Sequence, residues 1–381
     1  MHHNHDAFAR DDQHGAAAHP RQSRSGPRAL AAAKVAALAT AISVAVLAVM
    51  PDGRAGAAPA DTALDQAVFV PVSLVRSEIA VVPIVSPVPP SPTPADTATA
   101  TLTPSPTATA TVTPTPTPEG YQEPLTDFPD LDDLRDSYSA ARWYQTFLEI
   151  LDRRYKAGRF IVVGVDDSES EAKRWAGSHT GSFDDLVGIA PHVVHEMNHM
   201  LGMQEGITTT EFTKYVFPVR DQELIEVTRH ETFNRSEIAR YVTGPLENMY
   251  KSTYLTGSMG RQGFFTLLDE YNAYTHSMFT GYGLHDLAPS GSHVSHRDGL
   301  VTFMMYTQFY LRHGREHHPD DYERLHSDPE VRALVELLWE RSNFILDVTA
   351  DIPGLALDCE AIEAEVNKPE MRAEMELFIE P

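Results

Sequence analysis

A tract rich in proline and threonine divides this chain and limits the part of it that can fold. Residues 87–118 are mostly Pro, Thr, Ala and Ser, and they end in the sequence TVTPTPTP. Such a composition cannot bury a hydrophobic core and favours extended polyproline II conformations. We therefore expect residues 61–118 to form a stalk that is disordered over 87–118, while the mixed, apolar residues 61–86 fit either a tether or one or two strands. Residues 119–381 are long enough for one sizeable domain.

The first 60 residues have the pattern of an export signal. Basic residues between positions 21 and 34 precede an apolar run at 35–50, and small residues follow at 55–60. This order is typical of a signal peptide with a small-residue cleavage site, although an uncleaved membrane anchor fits as well. We expect the domain to be extracytoplasmic, either secreted or anchored to the cell envelope by this hydrophobic segment.

The charge and the cysteine content narrow the classes of partner and metal site. The chain has 54 acidic and 30 basic residues, for a formal charge of −24. So large a negative charge argues against nucleic acid or an anionic lipid surface as a partner. Cys359 is the single cysteine, which rules out an intramolecular disulfide and a site built from several thiolates.

The sequence HEMNH at residues 195–199 carries the strongest chemical signal. His195 and His199 are four residues apart, so on an α-helix both imidazoles lie on one face and can reach one metal ion. Glu196 is rotated by about 100° from His195, which places it beside the metal without ligating it. From there its carboxylate can take a proton from a metal-bound water, as in a zinc hydrolase. Gly202 is the expected end of this helix.

This motif resembles the HExxH signature of the zincin metallopeptidases. The resemblance implies a Zn²⁺ cofactor, a peptide or protein substrate, and an α+β fold. In that fold a small twisted sheet with an edge strand above the HExxH helix precedes a mainly helical C-terminal lobe. The two-lobe plan is similar to that of the gluzincins. In those enzymes a Glu on a second, downstream helix completes the metal site.

Two glutamates are candidates for the third metal ligand. Residues 264–279 have the apolar pattern of a helix, and a helical wheel puts Glu270 at the border of its apolar face, while Asp269 should be solvated. Glu205 is the alternative because it extends the frame HExxHxxGxxE, which resembles the metzincin pattern with Glu in place of its final His or Asp. We favour Glu270.

Tyr274 lies one helical turn beyond Glu270 and is the expected donor to an oxyanion. His276, His293 and His296 are alternatives for this electrophilic role. A hydroxyl or imidazole N–H can stabilise the negative charge that develops on a carbonyl oxygen during hydrolysis. We therefore take Glu196 and Tyr274 as the catalytic pair, and His195, His199 and Glu270 as the metal ligands.

The remaining patterns predict the order of elements. We expect a helix at 137–156, a buried strand at 160–165, a short helix at 166–175, and a β-hairpin within 208–219. Further helices are expected at 221–232, 236–241, 298–311 and 328–346.

The prediction from sequence is an exported zinc metallopeptidase. Two alternatives stay open. One is a surface-displayed binding or structural domain with a non-catalytic metal site. The other is a metal hydrolase acting on another amide of the cell envelope.

Overall fold

The computed structural model describes residues 121–206, 213–288 and 295–380. The expected signal segment, the stalk and His293 lie outside these ranges. Within these ranges, five α-helices and a short 3-10 helix (Ala140–Arg142) precede the first strand. The α-helices are α1 (Asp132–Asp136), α2 (Trp143–Arg154), α3 (Lys156–Gly164), α4 (Ser168–Ala176) and α5 (Phe183–Gly206). The two strands, β1 (Lys214–Arg220) and β2 (Glu223–Thr228), form an antiparallel hairpin. Short 3-10 helices follow at Arg235–Arg240 and Gly244–Leu246.

The described residues after the hairpin are mostly helical. These helices are α6 (Met249–Tyr254), α7 (Gly257–Gly260), α8 (Phe264–Leu284), α9 (His296–His317), α10 (Pro319–His326), α11 (Pro329–Val348), α12 (Glu360–Val366) and α13 (Pro369–Ile379). The described residues are therefore mostly helical with one small antiparallel sheet, which is compatible with the expected α+β fold and its helical C-terminal part.

Helix α5 carries the HEMNH sequence, and its first turn is fixed by local polar contacts. The hydroxyl of Ser182, just before the helix, accepts a hydrogen bond from the backbone N–H of Asp185 at 3.1 Å. The same hydroxyl donates to the Asp185 carboxylate at 2.7 Å. This arrangement satisfies one of the amides that every helix N-terminus leaves open. Asp184 and Asp185 also place negative charge where the helix dipole favours it.

The expected helix end at Gly202 is wrong, because α5 continues through this residue to Gly206. A Cβ atom at position 202 would lie 2.5 Å from the carbonyl oxygen of Val216 in β1. Gly202 therefore serves close packing between α5 and the hairpin rather than a left-handed cap. This contact holds β1 against the helix that carries the motif.

Two other predictions of local structure are wrong. Residues 160–165 belong mostly to helix α3 and form no strand, and this helix buries Ile161 and Val162 while Val163 is exposed. The second error concerns residues 221–232, which contain strand β2 and no helix. A short apolar run fits a strand or a buried helix equally well, so tertiary packing decides between them.

The expected hairpin within 208–219 occurs further along the chain than predicted. Its strands are joined at Asp221 and Gln222, and Gln222 has a φ of 59°. Residues 207–212 lie outside the described ranges. Both strands come after α5 in the chain, so the small sheet follows the HEMNH helix, whereas the expected sheet precedes it.

The core consists of two hydrophobic clusters that meet at the pair α5 and α8. One cluster collects α2 to α5, including Phe147, Val194 and Met197. The other collects the hairpin and α6 to α13, including Phe303 and Tyr271. Helix α8 is buried on nearly every side. Within the described ranges, no helix combines the length and the apolar character needed to cross a bilayer.

Candidate metal centre

The side chains of His195, His199 and Glu270 converge where α5 meets α8. The two Nε2 atoms are 3.2 Å apart. Oε2 of Glu270 lies 3.6 Å from Nε2 of His195 and 3.5 Å from Nε2 of His199. All three residues are buried, and together they form a group that could hold a metal ion. Helical spacing on α5 produces the imidazole pair, and the packing of α8 against α5 supplies the carboxylate.

Hydrogen bonds behind the imidazoles fix which nitrogens face the centre. Nδ1 of His199 lies 2.8 Å from the carboxylate of Asp269, which can only accept, so this nitrogen carries the proton. Nδ1 of His195 lies 3.2 Å from the hydroxyl of Ser277, which itself donates to the carbonyl oxygen of Pro191 at 3.3 Å. Because the Ser277 hydroxyl proton is used in that bond, its oxygen accepts a hydrogen bond from Nδ1–H of His195. In neutral imidazoles, both Nε2 lone pairs therefore point at Glu270.

This arrangement is unfavourable without a cation and fits zinc well. Both carboxylate oxygens of Glu270 are buried and have no hydrogen-bond partner. Burial opposes ionisation, but without a metal a protonated His199 beside the carboxylate outweighs burial and lowers the pKa of Glu270 to about 2. A bound cation would take over this role of the imidazolium and leave both imidazoles neutral. Ligand atoms about 2.0–2.1 Å from a tetrahedral zinc ion lie about 3.3 Å apart, close to the observed 3.2–3.6 Å. Two nitrogens and one oxygen are a donor set typical of catalytic zinc.

Glu196 stands beside this group without joining it. Its carboxylate is 1% exposed, and Oε1 has no hydrogen-bond partner. Nδ1 of His192, one turn earlier on α5, is 3.9 Å from Oε1, which is beyond hydrogen-bond range. Burial raises the pKa of Glu196 to about 8. A carboxyl group with a pKa near neutrality can take up and release a proton during a reaction.

Tyr274 lies on α8 one turn beyond Glu270, with its ring against His195. The two ring centroids are 4.6 Å apart and the planes are tilted by 77°. Its hydroxyl is buried without a hydrogen-bond partner. Gly299 of α9 makes room for the ring, since a Cβ at that position would collide with it. The backbone of α9 thus holds Tyr274 toward the histidine pair.

Glu205 does not reach the metal-ligating group. It occupies the last turn of α5, is exposed, and lies 3.4 Å from the side-chain amide of Gln204. The metzincin frame needs the chain to turn at Gly202, whereas α5 runs on without a turn there. The carboxylate brought beside the two imidazoles is that of Glu270.

Two residues at this site were not found from the sequence. Asp269, expected to be solvated, is instead the hydrogen-bond partner of His199 and is 29% exposed. Ser277 supports His195 in the same way. A helical wheel assigns one face to the core, but α8 has protein around it on nearly every side, so a residue off that face such as Asp269 can also meet a protein partner. The pair of adjacent acids, Asp269 and Glu270, is the sequence feature that could have indicated a carboxylate partner for His199.

The alternative histidines have other surroundings. His276 is buried, with Nδ1 2.6 Å from the Tyr155 hydroxyl and Nε2 2.7 Å from the carbonyl oxygen of Pro218. These bonds use both ring nitrogens and connect α8 to β1 and to Tyr155, the residue between α2 and α3. The ring of His296 packs over Gly281, where a Cβ would lie 2.8 Å from it. Burial lowers the pKa of His296 to about 4.

Comparison of the chain with models of known protein families, with curated proteins and with solved structures finds no match. The arrangement of the side chains is therefore the basis for a functional conclusion.

Proposed function

We propose that this protein is a zinc-dependent hydrolase of peptide bonds. The observation that carries the proposal is the grouping of two imidazoles and a buried carboxyl group without a hydrogen-bond partner beside a second buried carboxyl group, Glu196. His195, His199 and Glu270 would hold the zinc ion. Bound there, zinc acts as a Lewis acid and lowers the pKa of a water molecule toward neutrality.

The residues around the group have distinct roles in this proposal. Glu196 accepts the proton of the attacking water and passes it to the leaving amine. Its raised pKa suits both steps, because the group must hold the proton and then give it up. Tyr274 donates its hydroxyl proton as a hydrogen bond to the oxyanion of the tetrahedral intermediate. Asp269 and Ser277 keep the imidazoles in the tautomer that offers Nε2 to a metal.

Glu196 also distinguishes this proposal from a purely structural metal site. A structural zinc site normally has four protein ligands and needs no general base. Here three candidate ligands converge. Burying beside them a carboxyl group whose Oε1 has no hydrogen-bond partner costs free energy that a structural site would not require. The same geometry suits hydrolysis of another amide, so peptide hydrolysis rests on the resemblance of HEMNH to the zincin signature.

The location of the activity is part of the same proposal. The basic and apolar pattern of residues 1–60 favours export, and residues 61–118 would hold the domain away from the membrane or wall. The substrate is then a peptide or protein of the cell envelope or its surroundings.

The Glu196→Gln variant tests the function. We expect it to bind as much zinc as the wild type while kcat on a mixed peptide library falls by about 100- to 10,000-fold. Zinc content by mass spectrometry and cleavage products by chromatography are measured on the same preparation. Normal cleavage by the zinc-loaded variant would disprove the role of Glu196. A wild-type protein that binds zinc and cleaves no peptide would favour the binding-domain alternative.

A further inference from the structure

A second group of potential metal ligands lies apart from HEMNH, at the C-terminal end of α9. Nε2 of His313 is 3.3 Å from Oε2 of Glu237, and Nε2 of His318 is 2.9 Å from the same oxygen. Glu237 belongs to the 3-10 helix Arg235–Arg240, and His318 directly follows α9. Three ligand atoms from two separated segments of the chain thus meet at one point.

Neighbouring aromatic residues hold both imidazoles in place. The ring of Phe233 stacks on that of His318, with centroids 4.4 Å apart and planes 10° apart. The centroids of the same phenyl ring and of the His313 ring are 5.2 Å apart, and their planes are 70° apart. The hydroxyl of Tyr241 lies 3.0 Å from Nδ1 of His313, which fixes the orientation of that ring. Because packing already sets the rotamers of the two histidines, their side chains would lose little conformational entropy when a metal ion binds.

Arg240 is a neighbouring cation that could oppose a metal ion. Its Nη2 atom is 3.0 Å from both ring nitrogens of His313. A position in the ring plane equidistant from both would collide with the carbon between them, so the guanidinium lies over the ring face. Stacking on the face leaves the in-plane lone pairs free.

We propose that Glu237, His313 and His318 form a second metal site, selective for a divalent transition-metal cation such as Zn²⁺. Two imidazoles and one carboxylate suit zinc and its neighbours rather than Mg²⁺ or Ca²⁺, which prefer oxygen ligands alone. The separations of 2.9 and 3.3 Å are near the value of about 3.3 Å for atoms sharing a tetrahedral zinc ion. His313 is fully buried, whereas Glu237 and His318 are about one-third exposed, so an ion can enter from solvent.

The competing explanation is a hydrogen-bond network without metal. In it, Oε2 of Glu237 accepts from both Nε2–H groups, and the Tyr241 hydroxyl donates to Nδ1 of His313. Metal binding requires the other tautomer of His313, with Nδ1–H donating to the Tyr241 oxygen. The two explanations use the same heavy-atom positions and differ in whether a cation is bound.

Zinc stoichiometry of the full chain decides between them. His2, His3 and His5 can also bind metal, so they are replaced by Ala in every sample. A His195→Ala/His199→Ala background removes the first site. The protein is stripped of metal with a chelator and dialysed against zinc chloride as the sole metal. We then expect it to bind one zinc ion per chain. Adding Glu237→Gln and His318→Ala should reduce this to none, whereas the control His326→Ala should leave it unchanged.

Two outcomes would overturn the second site. One is an absence of zinc in the folded His195→Ala/His199→Ala protein. The other is zinc that persists after Glu237→Gln and His318→Ala are added. If the double background fails to fold by circular dichroism, the substitutions at 237 and 318 are made with the first site intact. The expected change is then from two zinc ions to one, and an unchanged value disproves the proposal. This readout does not depend on peptidase activity.

Discussion

Oδ2 of Asp269 lies 2.8 Å from Nδ1 of His199, and the next residue in the chain, Glu270, faces the opposite nitrogen of the same imidazole. Two consecutive acids of α8 therefore contact both sides of one histidine. The outer one sets its tautomer, and the inner one completes the group of candidate ligands. This relationship makes the N-terminal half of α8 as important to the site as HEMNH itself.

The Asp269→Ala variant should bind zinc less tightly, by about 10- to 100-fold. Without the carboxylate, Nδ1 of His199 loses the acceptor that keeps its proton there, so Nε2 is a weaker ligand. The affinity is measured by competition with a chromophoric chelator. Asp320→Ala, at an exposed acid in the first turn of α10, is the control. Equal affinities in the two variants would refute the role of Asp269.

Glu270→Ala and Glu205→Ala should differ in metal content. Glu270 is buried against both imidazoles, so its removal should abolish stoichiometric zinc at the first site. Glu205 is exposed at the end of α5, so its removal should leave the zinc in place. Zinc content is measured in proteins that also carry Glu237→Gln and His318→Ala, so that zinc at the proposed second site is not counted. Loss of zinc in Glu205→Ala alone would transfer the third ligand to that residue.

The Tyr274→Phe variant should retain zinc and lose activity. Phenylalanine keeps the ring packed against His195 and over Gly299, and removes only the unpartnered hydroxyl. Removing a donor to an oxyanion typically lowers kcat by about 100-fold or more. Steady-state kinetics on a cleaved peptide measure this change. A kcat equal to that of the wild type would exclude Tyr274 as the donor.

A buried ion pair joins the first described residues to the C-terminal part of the domain. The guanidinium of Arg341 is fully buried and donates to both carboxylate oxygens of Glu123 at 2.7 and 2.8 Å. We expect Glu123→Ala to lower the free energy of unfolding by about 3–5 kcal/mol, since it leaves a buried charge unpaired. Adding Arg341→Met should recover part of this loss. Urea denaturation measures both, and a single variant as stable as the wild type would contradict the prediction.

Asp328 should make stability depend on pH. Its carboxylate accepts from the backbone amides of Glu330 and Val331 at the start of α11, and lies 2.8 Å from Nε2 of His230. Burial raises its pKa, but these hydrogen bonds outweigh burial and lower the pKa below its ordinary value of 3.8. A lowered carboxyl pKa stabilises the folded state above pH 3.8, and this contribution disappears as the pH falls through the folded-state value.

The Asp328→Ala variant should therefore be less stable than the wild type by about 1 kcal/mol at neutral pH. The difference should shrink as the pH is lowered below 3.8. Asp328→Asn is the matched control, because it keeps the acceptor for the helix amides and removes the titrating group. Urea denaturation at a series of pH values checks the trend. A stability difference that grows on acidification would show that folding does not lower the pKa of Asp328.

The sequence alone determined the elements whose geometry is local. Spacing on one helix places His195 and His199 on a common face, and the wheel of residues 264–279 points Glu270 rather than Asp269 inward. Both follow from the helical period, which needs no knowledge of neighbours. The long helices α8, α9 and α11 also appear where their apolar patterns predict them.

The tertiary structure decided what depends on which surfaces meet. Residues 160–165 are mostly helical because α3 packs its apolar side on α2 and α5, although their β-branched run also suits a strand. Gly202 lies within a helix because the backbone of β1 approaches there. Asp269 of α8 contacts His199 of α5 because these two helices pack against each other there. Such contacts join residues far apart in the chain, and the local periodicity of a sequence contains no information about them.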